Sequence, residues 1–135
     1  MGRIARLQPV LRFAAIYANR LESLQWARDQ MESVWGGIAL SSPVWPFTET
    51  HYYTASMGSD LKKQLLVFSG LHNPEDMPDW KCQSNEWEGV YQSLGGHSVQ
   101  RAVNIDPGYV TLAKLVLATT KDRDHRIYLR RGIFA

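Results

Sequence analysis

Residues 119–128 form a polar segment that gathers most of the side chains in this sequence suited to binding an anion. The segment contains one lysine, two arginines, one histidine and three hydroxyl side chains. Lysine offers a point charge, arginine a planar fork of donors, and histidine exchanges a proton near neutral pH. We therefore expect His125 to transfer a proton beside a bound anion. The ligand-binding residues expected in this segment are Thr120, Lys121, Arg126 and Tyr128. An exposed turn held by its own Lys–Asp and Arg–Asp pairs is the alternative.

A second segment, residues 104–109, supplies the carboxylate that such a site would need. Asp106 follows a strand-like run, and Asn104 lies two positions earlier on the same face. We expect Asp106 to act as a general base or to orient His125, with Asn104 binding the ligand. The alternative is a structural turn in which the aspartate bonds to its own backbone. A single carboxylate makes a poor site for a hard cation, and we predict no metal.

Two adjacent tyrosines, Tyr52 and Tyr53, lie in a loop predicted at residues 48–58. Tyrosine combines a stacking surface with a hydroxyl, and this pair suits the wall of a ligand pocket. Packing of the loop onto the core is the alternative. The local signatures of a P-loop, a dinucleotide-binding turn, a hydrolase nucleophile elbow and a zinc protease helix are all absent. The cofactor therefore stays unknown, and the sequence leaves open whether the protein is an enzyme.

The composition indicates a single globular domain over residues 1–135. The chain is 44% hydrophobic and 21% charged, and no apolar run is long enough to span a bilayer. Its single cysteine excludes an internal disulfide framework, and we expect a cytoplasmic protein without a membrane partner. The net charge of +2 is too small to predict DNA binding. Residues 101–135, however, hold seven Lys or Arg against three Asp, which gives this stretch a net charge of +4.

The hydrophobic pattern predicts an α+β protein. The expected order is a strand at 11–18, a helix from Asn19, an extended segment at 38–47, a strand at 62–69, a helix capped by Asp79, strands at 99–105 and 112–120, and a hairpin with arms at 126–129 and 132–135. A turn is predicted at Asp106, Pro107 and Gly108. This order favours a mainly antiparallel sheet with two helices on one face, that is, a ferredoxin-like core plus a C-terminal hairpin.

Three stretches of the sequence resemble a bacterial family catalogued as domain of unknown function 4416. They are Arg101-Ala-Val-Asn104-Ile-Asp106-Pro107-Gly108-Tyr109, Leu115-Val-Leu-Ala-Thr119-Thr120-Lys121-Asp122, and His125-Arg126-Ile127-Tyr128-Leu129. Lys81 with Asn85 and Glu88 also matches the pattern. The resemblance implies relatives but no activity, although it draws attention to the same polar residues as above. Relatives have Glu where this chain has Ser56, and they continue past Ala135. We therefore expect that a C-terminal strand and tail are missing.

These observations favour a domain that binds a phosphorylated or carboxylated small molecule, with or without catalysis. The alternative is a noncatalytic module that binds protein or RNA through the basic C-terminal hairpin. A third hypothesis is a homodimer, because a cut-off last strand would leave an edge open for pairing.

Overall fold

The computed structural model describes residues 1–135, and its core is one antiparallel sheet beneath two long helices. The strands are β1 (Val10–Ala18), β2 (Ile38–Ser41), β3 (Trp45–Pro46), β4 (Lys62–His72), β5 (Asn104–Val110), β6 (Leu115–Leu117), β7 (Tyr128–Arg130) and β8 (Ile133–Phe134). The helices are α1 (Leu21–Trp35), α2 (Thr54–Met57) and α3 (Met77–Ser93). None of these helices is both long enough and apolar enough to cross a membrane.

The sheet has the strand order β2-β4-β1-β5-β6, with β3 also paired to β4. Every pairing in it is antiparallel. Without β6, this is the order of the split β-α-β template, in which each long helix connects two strands that are not neighbours. The predicted α+β fold is therefore confirmed, and β6 extends the template at one edge.

The central strand β1 is buried on both faces, because its apolar run alternates between two clusters. Ala14, Ile16 and Ala18 belong to the main core together with apolar residues of α1 and α3. Phe13 and Tyr17 face the opposite side and pack with Met57 of α2 and its neighbours. Both long helices thus cover one face of the sheet, and the segment around α2 covers part of the other.

Both helix starts differ from the predicted ones. Arg20, not Asn19, precedes α1, and no side chain caps this helix. The second long helix begins at Met77, because the short 3-10 turn Pro74–Asp76, capped by Asn73, leads directly into it. Asp79 consequently lies inside the first turn of α3, where its carboxylate is available for other contacts.

The turn predicted at Asp106, Pro107 and Gly108 is wrong, because β5 runs straight through these residues as a strand. The N atom and the carbonyl of one residue point to the same edge of a strand. The carbonyl of Pro107 accepts a bond from Ala118 N at 2.9 Å, on the outer side. The proline nitrogen therefore also faces outward, and its missing N–H removes no bond to β1.

The C-terminal hairpin is confirmed, with shorter arms than predicted. Arg131 and Gly132 both have positive φ, as the tightest hairpin turns require. Strand β8 pairs with β7 on one side, and Phe134 exchanges two backbone bonds with Thr119 on the other. The last strand is therefore flanked on both sides, and the open terminal edge that motivated a homodimer is absent.

Candidate functional site

The first half of β5 lacks a strand partner on its outer side, because β6 pairs only with residues 108–110. Side chains of α3 take the place of that partner at Ile105. Its N–H donates to Glu88 Oε1 at 2.6 Å, and its carbonyl accepts from Lys81 Nζ at 3.0 Å and Ser84 Oγ at 3.3 Å. Positions 81, 84 and 88 lie on one face of a helix. These bonds from α3 to the unpaired edge of β5 place the charged groups of Lys81 and Glu88 beside the strand.

A chain of polar contacts runs along the same edge. Lys81 Nζ lies 3.0 Å from Asp106 Oδ1, and only 7% of the lysine side chain is exposed against 25% of the aspartate. The amide of Asn104 donates to Asp106 Oδ2 at 3.0 Å, and Arg101 donates to Asn104 Oδ1 at 2.5 Å. Both oxygens of Asp106 therefore already accept a hydrogen bond, and the lysine's charge is neutralised locally.

Glu88 is the second carboxylic acid that lines this edge. Burial raises the pKa of its carboxyl above the usual value, although the charge of Lys81 acts in the opposite direction. One carboxyl oxygen accepts the Ile105 N–H, and Oε2 lies 4.0 Å from the nearest Arg101 nitrogen. The Glu88 side chain is thus only 18% exposed, and its Oε2 accepts no hydrogen bond within the protein.

Cationic groups from the loop after β6 face this edge. Arg126 Nη1 donates to Lys121 O at 2.9 Å and to Thr119 Oγ1 at 3.3 Å, which folds the loop back on itself. Lys121 Nζ donates to Tyr52 Oη at 3.0 Å, a bond that lowers the pKa of the tyrosine. Neither cation has a carboxylate oxygen within 4.0 Å. The two positive charges are therefore not neutralised by the protein.

Together these groups enclose a cleft of about 430 Å³ in which only three of the thirteen lining residues are hydrophobic. Six of the nine residues expected from the sequence line it, namely Tyr53, Asn104, Asp106, Thr120, Lys121 and Arg126. Tyr52 contributes indirectly, through its hydroxyl bond to Lys121. The carboxylate of β5 and the cationic loop therefore face one hollow.

His125 and Tyr128 do not line the cleft, contrary to expectation. Arg126 donates back to the carbonyl of Lys121, and His125, which lies between these two residues, is exposed. Tyr128 belongs to β7, where its ring packs against Phe134 at 5.2 Å between centroids. The Lys–Asp and Arg–Asp pairs considered within this loop are also absent. His125 is therefore not placed to exchange a proton with a ligand in the cleft.

The basic hairpin is held by a single carboxylate of α3. Arg130 and Arg131 both bind Asp79, with nitrogen–oxygen distances of 2.6 Å and 2.5 Å. Their hydrogen bonds lower the pKa of Asp79 to about 2. These two arginines are therefore partly neutralised, unlike the cations of the cleft.

Comparison with known proteins places the chain in a family but adds no activity. The family described as domain of unknown function (DUF4416) matches residues 8–135, nearly the whole length. The chain belongs to this family. No curated protein and no solved structure shows significant similarity to it. Nowhere do three or more His, Cys, Asp or Glu side chains gather as metal ligands would.

Five polar residues that line the cleft were not among those expected from the sequence: Lys81, Asn85, Glu88, Arg101 and Thr119. The sequence does contain a spacing pattern that points to three of them, Lys81, Asn85 and Glu88. Positions 81, 85 and 88 are spaced by four and three residues, which places them on one face of a helix. They share that region of the helix with the buried Ser84, so the polar side of α3 faces the sheet edge rather than solvent alone. The family pattern had already included these three positions.

Proposed function

We propose that the cleft binds a small molecule carrying a phosphate or carboxylate group. The observation that carries this proposal is the pair of cations, Lys121 and Arg126, which face a polar cleft without a carboxylate partner. Two like charges in one cleft repel each other unless an opposite charge compensates them. A bound anion supplies that compensation.

The charges of the whole cleft support the same proposal. Four cations and two carboxylates line it. Lys81 neutralises Asp106, and Arg101 lies 4.0 Å from Glu88. Lys121 and Arg126 are the two cations that have no carboxylate partner. The lysine offers a point charge, and Arg126 has Nε and Nη2 available because its bonds within the protein use Nη1. Such a pair is suited to the several oxygens of one phosphate or carboxylate.

The ion pairs of the hairpin favour this proposal over an interaction module that binds RNA or protein. Such a module would present Arg130 and Arg131 to its partner, but both are engaged by Asp79. Proton transfer by His125 is not part of the proposal, since this residue lies outside the cleft. We place the binding activity in the cytoplasm on the strength of the single cysteine, Cys82.

Calorimetric titration with inorganic phosphate and with malonate tests the proposal. We expect saturable binding of one or both anions to the unaltered protein. Lys121→Ala should weaken it about tenfold or more, because a hydrogen bond to a charged group contributes about 1.5–3 kcal/mol. Lys121 is exposed, and its side chain bonds only to Tyr52, which makes this variant compatible with folding.

Arg123→Ala is the matched control. It removes one positive charge from the same loop, but Arg123 does not line the cleft and its side chain forms no hydrogen bond or ion pair. We expect its affinity to stay within about twofold of the unaltered protein. Failure of both anions to bind, or equal losses in the two variants, would overturn the proposed function.

A further inference from the structure

We propose that the anion of this cleft belongs to a polyhydroxylated monophosphate, the class of the sugar phosphates. This inference rests on the proposed function and narrows it. Its basis is that the cleft has two unlike sides. The loop after β6 supplies the unpaired cations Lys121 and Arg126, whereas α3 and β5 supply asparagine amides, the Glu88 carboxyl and the mutually neutralised Lys81 and Asp106.

The side formed by α3 presents hydrogen-bonding groups that the protein itself does not use. Asn85 lines the cleft, and its exposed amide makes no hydrogen bond to another residue. One turn further along the helix, Glu88 Oε2 accepts no hydrogen bond from the protein, and the Arg101 nitrogen lies 4.0 Å from it. An amide both donates and accepts, and a carboxyl oxygen accepts. A hydroxyl group satisfies both residues, because it too donates and accepts.

Other ligand chemistries fit this side poorly. A second anionic group would approach the carboxyl of Glu88, which has no cation closer than Arg101 at 4.0 Å and repels it. The environment already raises the pKa of Glu88, so further negative charge nearby is unfavourable. An apolar tail would meet only three hydrophobic residues in the lining. A neutral, hydroxyl-bearing body attached to one phosphate avoids both penalties.

A nucleoside body is also disfavoured, because the cleft lacks a free aromatic platform. Tyr53 is the aromatic residue in its lining. The Tyr53 ring already packs against Tyr17 at 6.0 Å, Phe47 at 6.3 Å and Tyr52 at 5.0 Å between centroids. Base recognition relies on stacking against an exposed ring face. The remaining polar groups match hydroxyls better than a base.

Glucose 6-phosphate and cyclohexylmethyl phosphate form a matched pair of probes, since both join a phosphate to a six-membered ring and the second lacks hydroxyls. Calorimetry should show glucose 6-phosphate binding about tenfold more tightly or better, as two or more hydrogen bonds to the ring would provide. Asn85→Ala should weaken glucose 6-phosphate several-fold and leave cyclohexylmethyl phosphate within about twofold. Glu88→Gln should act in the same direction while retaining an acceptor for the Ile105 N–H.

The outcomes separate this inference from the proposed function. Equal affinities for the two esters, both lost in Lys121→Ala, overturn the inference and leave an anion site of broader specificity. Tighter binding of the sugar ester that neither Asn85→Ala nor Glu88→Gln changes also overturns it. Absence of phosphate and malonate binding overturns the proposed function itself. Asn85 makes no side-chain bond within the protein, and its alanine variant therefore tests recognition rather than folding.

Discussion

Lys81 shows how one buried cation can serve both the fold and the site. Its ammonium group donates to the Ile105 carbonyl and to the Asp106 carboxylate, both at 3.0 Å. A buried charge is tolerated only when partners replace the lost water. Because those partners lie on the open edge of β5, the same contacts fix the carboxylate that faces the cleft.

We predict that Lys81→Ala lowers the free energy of unfolding by about 3 kcal/mol. Breaking a buried ion pair leaves the remaining charge without compensation, and here it also leaves the Ile105 carbonyl with Ser84 alone. Urea denaturation measures the loss. Lys114→Ala, at an exposed lysine without side-chain bonds, is the control and should change stability by less than about 0.5 kcal/mol. A loss below about 1 kcal/mol in Lys81→Ala would contradict this account.

Arg12, near the start of β1, is a second buried cation. Its guanidinium lies 4.7 Å and 4.6 Å from the ring centroids of Trp35 and Trp80, and it donates to His72 Nδ1 at 3.0 Å. Burial lowers the pKa of Arg12 to about 10. Since arginine can only donate, His72 must accept at Nδ1, and its other ring nitrogen carries the proton.

Stability should therefore fall as pH falls below about 6.5. Burial first, and then the charge of Arg12, lower the pKa of His72 below its ordinary value of 6.5. Between the folded pKa and 6.5 the unfolded chain binds more protons than the folded chain, which makes unfolding easier as pH decreases. About one pH unit above 6.5 and higher, His72 is almost entirely neutral in both states and its contribution to the pH dependence of stability disappears.

Comparison of unaltered protein with His72→Gln isolates this effect. Urea denaturation between about pH 7.5 and about pH 5.5 should show a smaller decrease in stability for the variant, because glutamine accepts a bond without titrating. His51→Gln, at an exposed histidine without side-chain bonds, should retain the slope of the unaltered protein. Parallel pH profiles for all three proteins would refute the assignment to His72.

At the level of elements, β5 shows where local sequence rules are overruled. Asp-Pro-Gly is typical of a turn, yet the segment pairs with β1 along its length. Glycine is required at position 108 because there is no room for a Cβ atom, not because the backbone adopts a conformation that only glycine favours. A Cβ added to it would lie 2.0 Å from the carbonyl oxygen of Val116, because β6 passes directly against it. The neighbouring strands, not the tripeptide itself, decide its conformation.

Gly108→Ala should consequently destabilise the protein by about 3 kcal/mol or more, since β6 must move away or β5 must bend. Gly89→Ala in α3 is the contrasting control, because nothing lies within 4 Å of its added Cβ. The control should stabilise the protein by about 0.5–1 kcal/mol through helix propensity. Thermal unfolding of both variants measures the difference. A neutral Gly108→Ala would show that β6 does not pack as described.

The sequence predicted the type and approximate position of those elements that have a strong hydrophobic pattern. The apolar run of β1, the amphipathic α1 and α3, and the hairpin at the C-terminus all lie close to their expected positions. Boundaries set by contacts distant in the chain were missed. Asp79 was expected to cap α3, but its partners are Arg130 and Arg131, more than fifty residues away. No local rule contains that information.

Over the whole molecule, the cleft joins parts of the chain that are distant in sequence. The cationic loop and the carboxylate of Asp106 stood out by residue type, and both line the cleft. Lys81 and Glu88 also line the cleft, but their residue types did not distinguish them in the sequence, because isolated charges on a helix usually face solvent. Their position follows from the strand order, which leaves the first half of β5 uncovered beside α3.

The central claim is that Lys121 and Arg126 bind one anion in the cleft that the first half of β5 also lines, and an NMR titration tests it most directly. Inorganic phosphate added to the ¹⁵N-labelled protein should produce saturable shifts at the amides of Thr119, Thr120 and Lys121 and at Asn104 and Asp106. The turn at Arg131 and Gly132 should stay unchanged. Shifts confined to the hairpin, or no saturable shift in the cleft, would contradict the account.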